Sequence, residues 1–131
     1  VATVVDTDVV SYVFKDDTRA ALYRPHLANQ IATISFMTLA ELERWTLSAN
    51  WGARRREQLE RHLRRYVVQH SSADICRAWA ETMDASRRAG KPLSVADAWI
   101  AATALHLRLP LVTHNRADFA GVAGLTIVSE S

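Results

Sequence analysis

Carboxylates stand at four separated places along the chain, each beside a segment that could fix its position. Asp6 closes the apolar run Ala2–Val5, Glu41 lies in TLAELERW, Asp97 lies in LSVADAWIAA, and Asn115 and Asp118 follow the run Leu111–Thr113. Carboxylates gathered in one place repel and resist ionisation unless a cation offsets their charge. A hard divalent ion is the natural counterpart of such a group. Magnesium takes oxygen ligands and usually keeps several waters while binding one or two carboxylates. An ion held in that way can supply a water nucleophile and neutralise a phosphodiester oxygen. Each acid also has a plainer use. Thr38-Leu-Ala-Glu41 and Ser94-Val-Ala-Asp97 both have the spacing of a helix capping box, and Asp6 alone suits a turn. The chemistry therefore depends on whether the fold brings these acids to one place.

The elements that must position them are read from apolar patterning. Short β-branched or apolar runs predict strands at Ala2–Val5, Ile31–Phe36, Val67–His70, Leu111–Thr113 and Leu125–Val128. Helical patterning begins at Asp8–Tyr12 and continues over Thr18–Asn29, where Pro25 is a weak point. It recurs over Thr38–Asn50, Ala53–Tyr66, Ser72–Ala89 and Ser94–Leu109, the last two closed by Gly90 with Pro92 and by Pro110. The strands are continuous apolar runs rather than alternating ones. That pattern predicts an α/β fold with a parallel sheet covered by helices on both faces. Ligands of open parallel sheets bind at the carboxyl ends of the strands. Asp6 ends the first strand, Glu41 and Asp97 are expected in the first turns of helices that start at that edge, and Asn115 and Asp118 follow the fourth strand. A helix N-terminus carries positive potential that favours an ionised carboxylate.

A chain of 131 residues predicts one domain, spanning 1–131. With 49% hydrophobic and 23% charged residues, the composition excludes disordered and collagen-like classes. The lone Cys76 excludes an internal disulfide and, without a CxxC pair, argues against structural zinc. No apolar run reaches the ~18 residues of a membrane span, and no secretory leader is visible. A cytoplasmic protein with no membrane association is therefore expected; the chain starts at Val1 rather than Met, which leaves room for a few residues upstream. Of 16 basic residues all but Lys15 and Lys91 are arginine, a side chain whose planar fork suits phosphate. Arg54, Arg55, Arg56, Arg61, Arg64 and Arg65 crowd one helix. A solvated face supported by Glu57–Arg61 and Glu60–Arg64 pairs is the leading reading there, and contact with a nucleic-acid backbone, through Arg54, Arg55 and Arg56, or with a partner protein is the second. Trp79 and Trp99 fall on apolar faces expected in the core. The five histidines lack HxH or HExxH spacing, and neither a Gly-rich phosphate loop nor GxSxG is present.

Four stretches, VVDTDVVS, SFMTLAELERW, LSVADAWIAATAL and LVTHNRADFAGVAGLTIV, taken in this order, frame almost the whole chain. Together they resemble PIN-domain ribonucleases, specifically the VapC toxins of VapBC-type toxin–antitoxin pairs. The resemblance implies a three-layer α/β/α sandwich with a central, mainly parallel sheet. It implies Mg2+- or Mn2+-dependent endonucleolytic cleavage of RNA that leaves a 5′-phosphate. It also implies a homodimer silenced by a VapB-type antitoxin, whose carboxy-terminal arm would lie over the region of Trp45 and Trp51. Asp6, Glu41 and Asp97 match the three principal acids, with Asp6 and Asp97 touching the metal directly. Many members carry an acid where this chain has Asn115. The fourth acid is therefore assigned to Asp118, acting like Glu41 through water or to complete the site, with Thr113 and Asn115 as polar supports. Two other readings stand beside this one. Asp6-Thr-Asp8-Val resembles the nucleophile motif of haloacid-dehalogenase-type phosphatases, though no convincing acidic pair follows downstream. A degenerate PIN-like module that binds RNA or protein without cutting draws its support from Asn115.

Overall fold

The computed structural model describes residues 1–131. In chain order the elements are β1 (Ala2–Val5), α1 (Thr7–Lys15), α2 (Ala20–Leu27), β2 (Ile31–Ser35), α3 (Phe36–Ser48), α4 (Ala53–Leu63), β3 (Val67–Gln69), α5 (Ala73–Arg88), α6 (Val95–Leu107), β4 (Leu111–Val112), α7 (Arg116–Phe119) and β5 (Ile127–Val128). The five strands form one sheet in the order β3-β2-β1-β4-β5, and every neighbouring pair is parallel. Helices cover both faces, as the resemblance implies. In the sheet centre Val4 pairs with Leu111 and Val5 with Val112. Successive residues point to opposite faces of a strand, so Val4 and Leu111 enter one core while Val5 and Val112 enter the other. Val4 and Leu111 pack with Ile100, Ala101, Ala104 and Phe119 of α6 and α7. Val5 and Val112 pack with Val9, Tyr23, Leu42 and Leu59 of α1 to α4.

The boundaries differ from the sequence expectation where local hydrogen bonds override patterning. Helix α3 starts at Phe36 rather than Thr38, because the Ser35 hydroxyl accepts the Met37 N–H at 3.0 Å and caps it. Thr38 is thus an interior, buried residue, and the Thr38–Glu41 capping box does not form. The Ser94 cap does form, accepting the Asp97 N–H at 3.1 Å. Helix α7 has four residues, too few to show a period, and lies where a loop was expected. On α4 the expected Glu57–Arg61 and Glu60–Arg64 pairs are not made; the i,i+4 pairs are Arg77–Glu81 and Asp84–Arg88 on α5. Exposed pairs of this kind gain little free energy, so spacing alone does not decide which of them close.

Candidate active site

From β1 the chain builds outward through β2 to β3, then returns to the far side of β1 for β4 and β5. The direction of construction reverses between β1 and β4, and such a reversal opens a crevice outside the carboxyl ends of the strands. Asp6 stands at the exit of β1 as the N-cap of α1. Its Oδ1 accepts the Thr7 N–H at 2.8 Å and its Oδ2 accepts the Thr113 hydroxyl, just past β4, at 2.8 Å. One side chain thereby ties together the two strands that flank the crevice. Asp6 is only 5% exposed. Burial, then the neighbouring Asp8 charge, pushes its carboxyl up to about 8; Asp97 adds to the rise, and the bonds from Thr113 and Thr7 oppose it.

Glu41 sits in the second turn of α3, one turn later than the sequence placed it, because the helix begins earlier. The Thr7 hydroxyl donates to Glu41 Oε1 at 2.7 Å and lies 3.0 Å from the Thr38 hydroxyl. Asp97 occupies the third position of α6, as expected. Burial raises its carboxyl above the ordinary range, and the charges of Asp118, Glu41 and Asp8 raise it further, against the Ser94 hydrogen bond. Asp118 is exposed on α7 and faces Asp97 across a groove of about 600 Å³ that Ser94 and Lys91 also line. Asp6, Glu41, Asp97 and Asp118 thus share one electrostatic neighbourhood although 112 positions separate the first from the last.

A fifth acid belongs to this neighbourhood. Asp8, in the first turn of α1, accepts three N–H groups: Val9 N at 2.7 Å, His114 N at 3.1 Å and Asn115 Nδ2 at 2.8 Å. Burial raises its carboxyl, and the bonds from Val9 and His114 counter that shift. Asp8 therefore hooks the loop after β4 onto α1. The sequence signal for Asp8 is its Asp-x-Asp spacing with Asp6, the spacing that also suits a phosphatase nucleophile motif. Asn115 serves as a donor to Asp8, and its own N–H bonds the Thr113 hydroxyl at 3.0 Å. His114 is fixed by its side chain, with Nδ1 2.5 Å from the buried Tyr23 hydroxyl.

The donor set is made of carboxylate and hydroxyl oxygens, which suits a hard cation. No group of three His, Cys, Asp or Glu side chains converges tightly enough to hold an ion by protein ligands alone. An ion there would rest on one or two carboxylates and keep much of its water shell. Burial is the largest cause of the raised carboxyls of Asp6, Asp8 and Asp97 and favours their protonated forms; the smaller rise that neighbouring carboxylates add at Asp6 and Asp97 is the part a cation would relieve. The same geometry weakens the phosphatase reading, since the Asp8 carboxylate that would serve as acid/base is taken up by three N–H donors.

The arginines of α4 make local contacts. Arg55 lies over the rings of Phe14 and Trp51, at 4.9 and 4.8 Å from their centroids. Arg56 donates to the Trp51 carbonyl at 3.2 Å, and Arg54 is exposed at the helix start. Trp45 and Trp51 pack together, 4.5 Å between centroids, at the edge of the first core. Trp79 and Trp99 are not core residues as expected. They stack on each other at 4.9 Å, half-buried, and the Trp79 indole N–H is enclosed without an acceptor.

A parallel sheet with this strand order and an acidic crevice at its switch point defines a class of α/β proteins built to bring several carboxylates to one rim. The chain belongs to the PIN domain family, whose model matches residues 3–125. It is 29% identical to Ribonuclease VapC1 of Haemophilus influenzae strain R2866, over 92% of this chain and 91% of the relative. It is 30% identical to VapC ribonuclease Y4jK of Sinorhizobium fredii, over 96% of this chain and 95% of the relative. Among solved structures it resembles VapBC-1 from nontypeable Haemophilus influenzae, with a TM-score of 0.84 and 25% identity over 98% of both chains.

Proposed function

We propose that the chain is a divalent-metal-dependent endoribonuclease, the toxin of a VapBC-type pair, held silent by a VapB-type antitoxin. The observation that carries this reading is the gathering of Asp6, Glu41, Asp97 and Asp118 around the β1–β4 crevice, with the carboxyls of Asp6 and Asp97 raised first by burial and then by neighbouring carboxylates. Membership of the family and the ribonuclease names of two relatives support it. So does likeness over nearly the full chain to a toxin–antitoxin complex.

Asp6 and Asp97 are the direct ligands in this reading, and Glu41 and Asp118 act through water or complete the site. Mg2+ or Mn2+ is the ion. When bound, it would neutralise charge developing on a phosphodiester and lower the pKa of water. The protein's own part is positional. Thr113 and the Thr7 N–H fix the two oxygens of Asp6, the Thr7 hydroxyl aims Glu41, Ser94 sets the first turn of α6, and Asp8 with Asn115 holds the loop that leads to Asp118. The protein acts in the cytoplasm as a homodimer, where RNA and antitoxin meet it; no helix is long and apolar enough to cross a membrane.

Purified protein incubated with RNA tests the reading. Cleavage is expected with Mn2+ or Mg2+, is abolished by EDTA, and falls by at least a hundredfold in Asp6→Asn and Asp97→Asn. RNA binding by wild-type protein without cleavage in any divalent metal would favour a binding module instead.

A further inference from the structure

We propose that Lys91 is a substrate-phosphate contact, placed so that a polyanion whose reacting phosphodiester sits at the acids lays a neighbouring phosphate on its ammonium. This rests on the ribonuclease reading above and says where along the molecule the strand runs.

Three observations place Lys91. The groove of about 600 Å³ that holds Asp97 and Asp118 is lined by Lys91 as well, and Lys91 is its single basic lining residue. No carboxylate lies within ion-pairing distance of the ammonium: the ion pairs of the molecule involve arginines and His26. A groove with two acids and one free cation can take a metal ion at the acids and an anion at the lysine side by side. It suits a ligand that presents a metal-bridged phosphate to the acids and a second phosphate to the lysine, as a nucleic acid strand does.

The backbone of Lys91 is fixed. Helix α5 ends with Gly90 in the left-handed region (φ +72), the Gly90 N–H on the Arg87 carbonyl and the Lys91 N–H on the buried Ser86 carbonyl. That pair of bonds is a Schellman close. Three residues later Ser94 caps α6, so Lys91 stands on a short bridge between two anchored helix ends. Its stem is seated on Gly121. A Cβ at position 121 would come 2.9 Å from both Cβ and Cδ of Lys91, closer than any side chain there would tolerate. Gly121 therefore leaves room for the lysine stem in the lining of the groove. A lysine binds phosphate as a point charge on a flexible stem, which suits contact with a backbone regardless of sequence.

The test uses full-length protein carrying Asp6→Asn, so that RNA is bound and not cut, with Mg2+ present. The probe is a fluorescein-labelled 20-nucleotide single-stranded RNA of mixed sequence, read by anisotropy over a range of NaCl concentrations. Adding Lys91→Gln is expected to weaken binding about three- to tenfold at 100 mM salt and to lower the slope of log affinity against log salt by about 0.7, one phosphate's worth on a single strand. Lys91→Arg is expected to restore both. Gly121→Ala, which displaces the stem without altering charge, is expected to weaken binding similarly and to add nothing to Lys91→Gln in the double variant. Unchanged affinity and slope in Lys91→Gln, with circular dichroism matching the parent, overturns the proposal, and so does failure of Lys91→Arg to rescue. If the parent binds no RNA and the wild-type protein cuts none in Mg2+ or Mn2+, the ribonuclease reading itself falls, and this proposal with it.

Discussion

Asp6 ties the end of β1 to the residue after β4 through its two carboxyl oxygens. Its carboxyl is raised because burial and the Asp8 charge penalise the ionised form. The folded value lies above the ordinary 3.8, so the protonated form is the one the fold prefers. Without metal this contribution to stability is full below about pH 4 and is lost as pH rises through about 8. The melting temperature of EDTA-treated protein should therefore fall over that window. Asp6→Asn should flatten the fall, and Mn2+ should reverse it at pH 8; a melting temperature that is flat in pH for the wild type would contradict the assignment. Thr113 is fully buried, and its hydroxyl donates to Asp6. Thr113→Val leaves a buried carboxylate oxygen without its donor. A loss of about 1–3 kcal/mol in urea unfolding is expected, together with a weaker Mn2+ affinity of roughly tenfold, the usual effect of removing a group that orients a ligand.

At the scale of elements, the acids reach one rim because helix starts and strand ends lie on the same edge of the sheet. Ser94 caps α6 and sets the turn that carries Asp97. Ser94→Ala should cost about 1 kcal/mol in chemical denaturation and loosen Mn2+ binding as that turn frays. If stability falls while Mn2+ affinity stays as in the wild type, the cap is structural only. The same elements show what a sequence reveals. Strands β1, β2 and β4 were legible because a strand buried on both faces must be a continuous apolar run, and the two cores on either side of Val4 and Val5 bear that out. Helix α3 was misplaced by two residues because Thr38-x-x-Glu41 imitates a capping box, while the true cap, Ser35, ends an apolar strand. Helix α7 was invisible because four residues carry no period. Positions of Asp6 and Asp97 followed from strand and helix ends. The role of Asp8 did not, since its partners His114 and Asn115 lie more than a hundred positions away and one of them is a backbone N–H, which leaves no mark in residue type.

The whole molecule reads as a frame that gathers five acids at one edge of a sheet, with Lys91 beside two of them. The net charge of +2 hides this clustering: fourteen arginines are distributed along the chain, while Asp6, Asp8, Glu41, Asp97 and Asp118 gather at the switch point. In the ribonuclease reading a divalent cation offsets these acids so that a phosphate can approach, and the arginines favour a polyanion. RNA cleavage should therefore depend steeply on divalent metal and weaken with added NaCl, and a rate insensitive to both would contradict this picture. The central claim is that Asp6 and Asp97 hold one divalent ion between them. Crystals grown with Mn2+ and measured for anomalous scattering test it most directly. A peak in contact with the carboxylates of both Asp6 and Asp97 is predicted. A pocket without a peak at saturating Mn2+, or an ion bound away from these two residues, would contradict it.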